Sequence, residues 1–587
     1  MKQLRATIVV VIGLCLISWI GAQARSLNGP TPSRAAIASA HPAATAAGRT
    51  ILMAGGNAFD AAIAVAAALA VVEPYSSGMG GGGFFLLHRA SDRKETMVDA
   101  REKAPAASTH DMYLDDKGEF IRDRALNGPL AAGIPGLAAG LVHLADNYGR
   151  LPLAQSLAPA VELASKGFVI GPRYARMAGY RKSAFNNFPA SAKIFLGHDG
   201  NADIGDTIVQ ADLANTLRTL AEHGAAGFYV GELAEQMVEG VRNAGGIWTL
   251  QDLADYTVVE RDPIVINYRD VRIVSAPPPS SGGVALAEIF HILSEFNLEE
   301  LDENTKRHVV IEAMRRAYRD RAEYLGDPDF ADVPVTKLVS KEYGKGLAAD
   351  LSIDKATPSA QLRPLEPPKG RDTTHYSVLD TEGNRVAATL SVNYPFGAAF
   401  VPPNTGVLLN NEMDDFSARP FTPNVYGLVG VAANAIAPGK RPLSSMTPTF
   451  METAEKVGVL GTPGGSRIIT MVLVGILEFI AGKKPDAWVS AKRYHHQYLP
   501  DEVQFELGGL SDDAQRDLER RGHKLKEQTR NYGNMHAILW DRETQEVDAA
   551  SDPRGEGAAE VFVVARTQNI DPATVDTSDN KNSTVAQ

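Results

Sequence analysis

Residues 373–393 constrain the fold of this chain more than any other stretch. Residues 375–379 and 385–392 have the composition of β-strands. The five residues between them, Asp380-Thr381-Glu382-Gly383-Asn384, are typical of a tight turn. The sequence therefore predicts an antiparallel hairpin in which Thr373 lies opposite the region of Val392.

Thr373 stands at the open end of this hairpin, directly after Asp372. It is either an ordinary strand residue, because strands are rich in threonine, or the nucleophile of a precursor that cuts itself there. A threonine that becomes an N-terminus gains an α-amine within reach of its own Oγ. That amine has a pKa of about 7.7–8.0 in peptides and can act as a base near neutral pH. Ser391 and Asn393 share one face of the second strand and are expected to converge on Thr373, unless they only form a polar hairpin end.

Three further segments carry polar side chains that suit the binding of a charged substrate. Asn410-Asn411-Glu412-Met413-Asp414-Asp415-Phe416 lacks the spacing of a calcium loop and is either a ligand-binding segment or a solvated strand end. Ser444 and Ser445 offer two adjacent hydroxyls, or form only a turn. Arg101 has a planar fork that suits a carboxylate, although a lone arginine is more often a surface residue.

Gly464 and Gly465 precede residues 468–481, an apolar stretch that predicts a helix. Glycines at the start of a helix expose backbone N–H groups at the positive end of the helix dipole, where an oxyanion can bind. Glycine turns before helices are also common without any such function.

Together these segments resemble the γ-glutamyltranspeptidases, or glutathione hydrolases, of the N-terminal-nucleophile hydrolase superfamily. The resemblance extends from Ala35 to about Val564 and depends on eight segments in the family's order. They are GGNAFDAA (55–62), the glycine run 80–83, PPPSSGG (277–283), TTHYS (373–377), NNEMDDFS (410–417), PNVYGLVG (423–430), KRPLSSM (440–446) and GTPGGSR (461–467).

The resemblance implies a role for each candidate residue. Thr373 would be the nucleophile, freed by cleavage of the Asp372–Thr373 bond, and Ser391 would support it; relatives carry threonine at the position of Ser391. Gly464 and Gly465 would form the oxyanion hole. Arg101, Ser444 and Ser445 would hold the α-carboxylate of the γ-glutamyl group, and Asn393, Glu412 and Asp415 its α-ammonium. Residues 421–430, with Tyr426 at the centre, would form a lid.

The resemblance also implies the fold and the activity. The fold would be an α/β four-layer αββα sandwich, built as a heterodimer of a large subunit (25–372) and a small subunit (373–587) from one precursor. The enzyme would transfer the γ-glutamyl group of glutathione and related compounds to water, amino acids or peptides, without a metal or cofactor. A related amidase such as a cephalosporin or glutaryl acylase is the alternative, and an uncleaved binding protein is a third.

Composition and charge agree with an exported enzyme. Residues 1–24 contain Lys2 and Arg5, an apolar run and a small-residue cleavage site, which predicts a secretory signal rather than a retained anchor. The single cysteine, Cys15, lies in that run, so a mature chain would have no thiol. The formal charge of −12 argues against nucleic-acid binding. We expect a periplasmic or secreted protein without a stable membrane span after signal cleavage.

Four other patterns do not predict catalytic chemistry. The glycine run 78–83 matches a dinucleotide fingerprint, but it follows a predicted helix and enters a predicted strand, the reverse of the required order. His495 and His496 lack a third ligand at zinc spacing, which favours a structural role. Residues 345–371 are polar and proline-containing and predict a mobile segment before the processing site, and residues 567–587 predict disorder.

Overall fold

The computed structural model describes residues 30–197, 200–362, 373–419 and 422–564. The predicted signal segment, Asp372 and the predicted disordered tail therefore lie outside the described residues. The strands are β1 (Ala35–Ser39), β2 (Gly82–Arg89), β3 (Lys94–Ala100), β4 (Phe168–Val169), β5 (Thr207–Ile208), β6 (Val259–Arg261), β7 (Ile264–Tyr268), β8 (Val271–Ser275), β9 (Thr374–Leu379), β10 (Arg385–Ser391), β11 (Thr449–Glu452), β12 (Lys456–Gly461), β13 (Tyr494–His495), β14 (Val503–Phe505), β15 (Leu525–Glu527), β16 (His536–Asp541), β17 (Val547–Ser551) and β18 (Ala558–Phe562).

Helices cover much of the remaining described chain. The α-helices are Pro42–Met53, Ala58–Val72, Arg122–Leu126, Leu137–Asn147, Leu153–Lys166, Pro172–Phe185, Pro189–Phe195, Ala211–His223, Ala226–Tyr229, Glu232–Asn243, Leu250–Ala254, Gly282–Leu293, Glu303–Tyr324, Val335–Leu338, Lys341–Ala348, Ile468–Ile480, Pro485–Ser490 and Asp512–Arg521. Short 3₁₀ turns are Pro129–Ala131, Ser359–Leu362, Glu412–Asp415, Ala432–Asn434 and Gly465–Arg467. Within the described ranges, no helix has the length and apolar character needed to cross a membrane.

Two large antiparallel sheets combine strands from both sides of Thr373. One sheet has seven strands in the order β18-β1-β9-β10-β2-β3-β6, and the other has six in the order β17-β16-β12-β11-β8-β7. Each sheet contains strands that precede residue 373 and strands that follow it. The two parts of the chain therefore share both sheets and cannot fold as independent domains.

Alternating side chains explain how the sheets pack. On β9 and β10, Val378 and Ala388 belong to the core cluster that also contains the helix Ala58–Val72. Leu379 and Ala387 point the other way, into a cluster that includes Phe450 and Ile538 of the six-stranded sheet. The six-stranded sheet contributes Met451 and Leu460 to a further cluster with the helices Gly282–Leu293 and Ile468–Ile480. Each sheet thus buries one face against the other sheet and its second face against helices.

The predicted local elements are largely confirmed. The hairpin, the helix Ala58–Val72 and the helix Ile468–Ile480 are present, and the last ends one residue before the predicted end. Asn57 and Asp60 form a capping box at the start of Ala58–Val72. The glycine run leads from a helix into β2, as expected for a segment that is not a dinucleotide site.

The prediction of a mobile segment over residues 345–371 is wrong for its first part. Residues 345–348 complete the helix Lys341–Ala348, and Ser359 is buried. The Ser359 hydroxyl donates to the Tyr498 carbonyl oxygen at 2.7 Å and accepts from the Arg315 guanidinium at 2.7 Å. These contacts are long-range, so a local composition rule could not foresee them. Residues 363–371 lie outside the described residues.

Candidate active site

The hairpin brings the hydroxyls of Thr373 and Ser391 together. The register of β9 and β10 pairs Thr374 with Leu390, so the residue that faces Thr373 is Ser391, one position before the predicted Val392. The two Oγ atoms lie 3.5 Å apart, and both residues are buried. The predicted nucleophile therefore has a second hydroxyl at hydrogen-bonding distance.

Asn393 holds Ser391 in this orientation. The backbone N–H of Asn393 donates to Ser391 Oγ at 2.7 Å, which leaves the Ser391 proton for an acceptor such as Thr373 Oγ. Asn393 has a φ of 70°, a left-handed conformation that asparagine tolerates better than most residues. Its side-chain amide donates to the carbonyl oxygen of Asn411 at 2.9 Å. The predicted ammonium-binding amide is thus fixed to the acidic segment.

The glycine run at 80–83 allows the chain to cross closely beside Ser391. A Cβ atom on Gly81 would lie 2.1 Å from the carbonyl oxygen of Ser391, and one on Gly80 would lie 2.2 Å from that of Leu408. Any side chain at these positions would push the hairpin or the segment before Asn410 away. The run therefore has a packing role at the site.

Arg101 lies in direct contact with the acidic segment. Its guanidinium donates to Glu412 and, at 2.7 Å, to Asp415, and Glu102 lies 3.5 Å from it. Arg101, Glu102 and Glu412 are fully buried, so the segment is not a solvated strand end. The structure thus brings the predicted carboxylate-binding arginine together with two of the predicted ammonium-binding residues.

Burial and charge shift the pKa values of this cluster. Burial raises the pKa of Glu412, and the neighbouring Arg101 opposes that rise. Burial raises the pKa of Glu102 to about 7, again against Arg101. Burial alone would lower the pKa of Arg101, but Glu412, Glu102 and Asp415 together raise it. Arg101 is therefore a permanent cation with three carboxyl groups around it.

Several buried acceptors in this cluster accept no hydrogen bond from the described residues. They include Asn393 Oδ1, Glu412 Oε2 and both carboxylate oxygens of Glu102. A buried acceptor left without a donor costs about 1–3 kcal/mol, so most such atoms in folded proteins are satisfied. An ammonium group carries three donors and no acceptor, so its chemistry is complementary to acceptors such as Asn393 Oδ1 and Glu412 Oε2.

The serine pair lies beside the same arginine. Arg101 Nε donates to the carbonyl oxygen of Pro442 at 3.3 Å, which ties it to the serine segment. Ser444 is held by backbone hydrogen bonds, since its N–H donates to the Pro279 carbonyl at 2.8 Å and its own carbonyl accepts from the N–H of Ser281 at 2.9 Å. The PPPSSGG segment therefore positions the serine pair.

Arg321 is a buried cation at the serine pair that sequence reasoning missed. It lies in the helix Glu303–Tyr324 and donates to Ser445 Oγ at 3.2 Å and to Ser281 Oγ at 3.0 Å. Burial lowers its pKa to about 10. The residue belongs to none of the eight segments, and the arginine-rich helix gives no local sign of which guanidinium faces the site. Glu102 was missed as well, although it directly follows Arg101.

The two predicted oxyanion glycines form a turn between β12 and the helix Ile468–Ile480. Gly464 has a φ of 145° and Gly465 a φ of 55°, which L-residues rarely adopt. β12 ends at Gly461, where a Cβ atom would lie 2.3 Å from the His375 ring. This contact sets the end of β12 against β9, two residues after Thr373. The glycine turn thus begins beside the predicted nucleophile.

Tyr426 covers this turn. Its hydroxyl donates to the carbonyl oxygen of Asn393, and a Cβ atom on Gly465 would lie 2.3 Å from its ring. The loop that carries Tyr426 is tied to the acidic segment, because Asn424 donates to Asp415 at 2.8 Å and the Val425 N–H donates to Asp414 at 2.8 Å. The loop therefore contacts both the glycine turn and the acidic segment. Phe421 of the predicted lid lies outside the described residues.

His495 and His496 use their ring nitrogens within the protein. His495 contacts Thr470 Oγ1 and Gln497 Oε1, each at 2.8 Å. His496 accepts from the backbone N–H of Tyr498 at 3.1 Å, and its Nε2 lies 3.3 Å from Asp501. Burial lowers the pKa of His496 to about 4. These contacts are in keeping with a structural role.

Comparison with known proteins links this geometry to one family. The sequence profile of the gamma-glutamyltranspeptidase family matches residues 44–562. The chain is 44% identical over 527 residues to a glutathione hydrolase proenzyme of Escherichia coli (strain K12), which covers 88% of this chain and 90% of that protein.

Two solved structures are also similar. A cephalosporin acylase from Bacillus halodurans has a TM-score of 0.78 and 29% identity, with 91% of this chain and 96% of that chain covered. A gamma-glutamyltranspeptidase chain from Helicobacter pylori has a TM-score of 0.54 and 40% identity; it covers 56% of this chain and 94% of its own length.

Proposed function

The chain belongs to the γ-glutamyltranspeptidase family of glutathione hydrolases and acyltransferases, and we propose that Thr373 is the nucleophile with which it cleaves γ-glutamyl compounds such as glutathione. The hydrolase and transferase activities follow from the family. The residue roles are inferred from the geometry, and the observation that carries them is the pair of buried, unpartnered acceptors on Asn393 and Glu412 beside Arg101.

Thr373 would first release itself from the precursor. Its Oγ attacks the carbonyl carbon of Asp372, the Asp372–Thr373 peptide bond breaks, and the acyl group passes to Oγ as an ester. The α-amine of Thr373 is free once this C–N bond has broken. Water then hydrolyses the ester, which releases the carboxyl group of Asp372 and restores the Thr373 hydroxyl. The resulting subunits, 25–372 and 373–587, would stay together because both sheets contain strands of each. Two sheets packed face to face, each with helices on its outer face, support a four-layer αββα sandwich.

The freed amine would then serve as the base for acyl transfer. It takes the proton of Thr373 Oγ as that oxygen attacks the γ-carbonyl carbon, and the N–H groups of Gly464 and Gly465 stabilise the oxyanion. The C–N bond breaks, and the leaving amine receives the proton. Water or an acceptor amine then attacks the ester and regenerates Thr373. Ser391, 3.5 Å away, would donate a hydrogen bond to the nucleophilic oxygen.

The substrate headgroup would enter the buried ion-pair cluster. Its α-carboxylate would take the guanidinium of Arg101 and the hydroxyls of Ser444 and Ser445. Its α-ammonium would take Glu412, Asp415 and Asn393 Oδ1. A zwitterion can replace the existing ion pairs of Arg101 with Glu412 and Asp415. Its carboxylate pairs with Arg101 and its ammonium with the two carboxylates, so no buried charge is left without a partner of opposite sign.

A cephalosporin or glutaryl acylase remains the alternative, since a cephalosporin acylase is among the similar structures. A glutaryl group is a γ-glutamyl group without its α-amine, and it would leave Asn393 Oδ1 and Glu412 Oε2 unsatisfied. The decisive experiment compares γ-glutamyl-4-nitroanilide with glutaryl-4-nitroanilide. We expect kcat/KM to favour the first by at least about a hundredfold. Equal or better cleavage of the glutaryl compound would overturn the assignment.

We also propose export across a membrane, on the basis of residues 1–24, which lie outside the described residues. The N-terminal sequence of the exported protein tests this. It should begin near Arg25.

A further inference from the structure

A cavity of about 860 Å³ opens beside Gly464, and its lining does not include the headgroup residues Arg101, Glu412 and Asp415. Gly464 and Tyr426 line it, together with Tyr394 and Tyr180. Because Tyr426 packs against Gly465 and donates to the Asn393 carbonyl, its ring forms the inner wall between the cavity and the buried headgroup residues. This volume is ample for a peptide-sized group.

The lining of this cavity is strongly cationic. It contains one carboxylate, Glu502, and six cationic side chains, whereas the whole protein has a formal charge of −12. The cationic residues are Arg173, Arg176, Arg467, Lys526, Arg530 and Arg554.

Acidic residues neutralise only part of this charge. Lys526 pairs with Glu502 at 2.8 Å, and Arg554 pairs with Glu506 at 2.7 Å and Asp552 at 3.1 Å. Arg176 and Arg530 are exposed, and neither forms an ion pair with a carboxylate in the part of the chain that the structure describes. These two guanidiniums present uncompensated positive charge to whatever enters the cavity.

Arg467 extends the cationic lining to the glycine turn. It lies two residues after Gly465, where its guanidinium donates to the amide oxygens of Gln504 and, at 3.2 Å, Gln528. It also lies over the Tyr532 ring at 4.7 Å. The positive lining therefore begins at the predicted oxyanion hole and continues outward.

We infer that this cavity receives the leaving group of the γ-glutamyl donor and selects leaving groups that carry a carboxylate. The inference rests on the proposed function, since it takes Gly464 and Gly465 to hold the γ-carbonyl oxygen. The headgroup then occupies the buried cluster on one side of that carbonyl, and the amine must leave on the side that is open. A negative charge on the leaving group is attracted by Arg176 and Arg530, and a neutral group is not.

A matched pair of donors tests this. γ-Glutamyl-4-nitroanilide and γ-glutamyl-3-carboxy-4-nitroanilide differ by one carboxylate on the leaving group. The parent enzyme should prefer the carboxylated donor, and the double variant Arg176→Gln/Arg530→Gln should lose about fivefold to tenfold of kcat/KM for it. Its kcat/KM for the neutral donor should change less than twofold. Arg516→Gln, at an exposed arginine outside the cavity, is the control and should change neither value.

Ionic strength provides a second readout, independent of folding. Raising the salt concentration should reduce kcat/KM for the carboxylated donor in the parent enzyme and leave the double variant nearly unaffected, because salt screens exposed charges. Equal losses on both donors, or an unchanged preference in the double variant, would overturn the inference. If the parent enzyme cleaved neither anilide, the proposed function itself would fail instead.

Discussion

Thr373 Oγ and Ser391 Oγ lie 3.5 Å apart at the adjoining ends of two paired antiparallel strands. The Asn393 N–H donates to Ser391, so the Ser391 hydroxyl is left with its proton directed elsewhere. That proton can stabilise negative charge as it develops on Thr373 Oγ. The family resemblance implies a threonine at this position, and a serine keeps the hydroxyl while it removes the methyl group that would restrict its rotation.

Replacing the predicted nucleophile should stop both maturation and activity. Thr373→Ala lacks the oxygen that attacks the Asp372 carbonyl, so a denaturing gel should show a single chain and no γ-glutamyl anilide should be cleaved. Thr373→Ser keeps the oxygen and is the control, in which two fragments should appear. Two-fragment processing of the alanine variant would mean that another residue is the nucleophile.

Removing the charge of Asp415 should weaken recognition of the α-ammonium. In Asp415→Asn, kcat/KM for γ-glutamyl-4-nitroanilide should fall by a factor equivalent to roughly 2–5 kcal/mol, the cost of removing one partner from a buried charge pair. Cleavage of glutaryl-4-nitroanilide should fall much less, because it has no ammonium. The measurement is kcat/KM for both donors. A similar loss on each would show that Asp415 acts only through Arg101.

Removing the Tyr426 side chain from the glycine turn should change whether water or an acceptor amine attacks the acyl-enzyme. Tyr426→Ala removes both the ring against Gly465 and the hydrogen bond to Asn393, so water gains access, and the ratio of hydrolysis to transfer should rise severalfold. Bulky γ-glutamyl donors should also be cleaved faster. Tyr426→Phe keeps the ring and serves as the matched control, with a smaller effect. An unchanged ratio in the alanine variant would argue that the loop is not a lid.

Asp414 should make stability depend on pH. Burial raises its pKa to about 7, while the unfolded chain releases this proton near pH 3.8. The folded protein therefore binds more protons than the unfolded chain between these values, and the contribution of Asp414 to stability falls as the pH rises from about 4 to 7. Asp414→Asn removes this titrating group. The free energy of unfolding of the variant minus that of the parent should therefore increase by up to about 4 kcal/mol as the pH rises over that range.

Urea unfolding at pH 4.5 and 7.5 measures the difference for parent and variant. Asp116→Asn, at an exposed carboxyl, is the control and should follow the parent at both pH values. A parallel pH profile for Asp414→Asn and the parent would contradict the raised pKa.

The sequence by itself determined the hairpin, the helices at 58–72 and 468–480, and the family. Strand alternation, turn residues and helix periodicity are local, and they set which side chains share a face within some twenty residues. This was enough to predict that Ser391 and Asn393 converge near Thr373. The observed register differs from the predicted one by one residue, because the geometry of the turn decides which residues pair.

Only the tertiary structure decided which charges meet. Arg101 and Glu412 are 311 residues apart, and Arg321 and Ser445 are 124 apart, yet each pair is in contact. The cationic cavity likewise gathers Arg176 from one helix and Arg530 from a distant loop. Ion pairs and buried hydrogen bonds depend on distance in space and on exclusion of water, and neither quantity is encoded in local periodicity. The residue types therefore predicted a site for a zwitterionic headgroup, while packing decided which of those side chains meet.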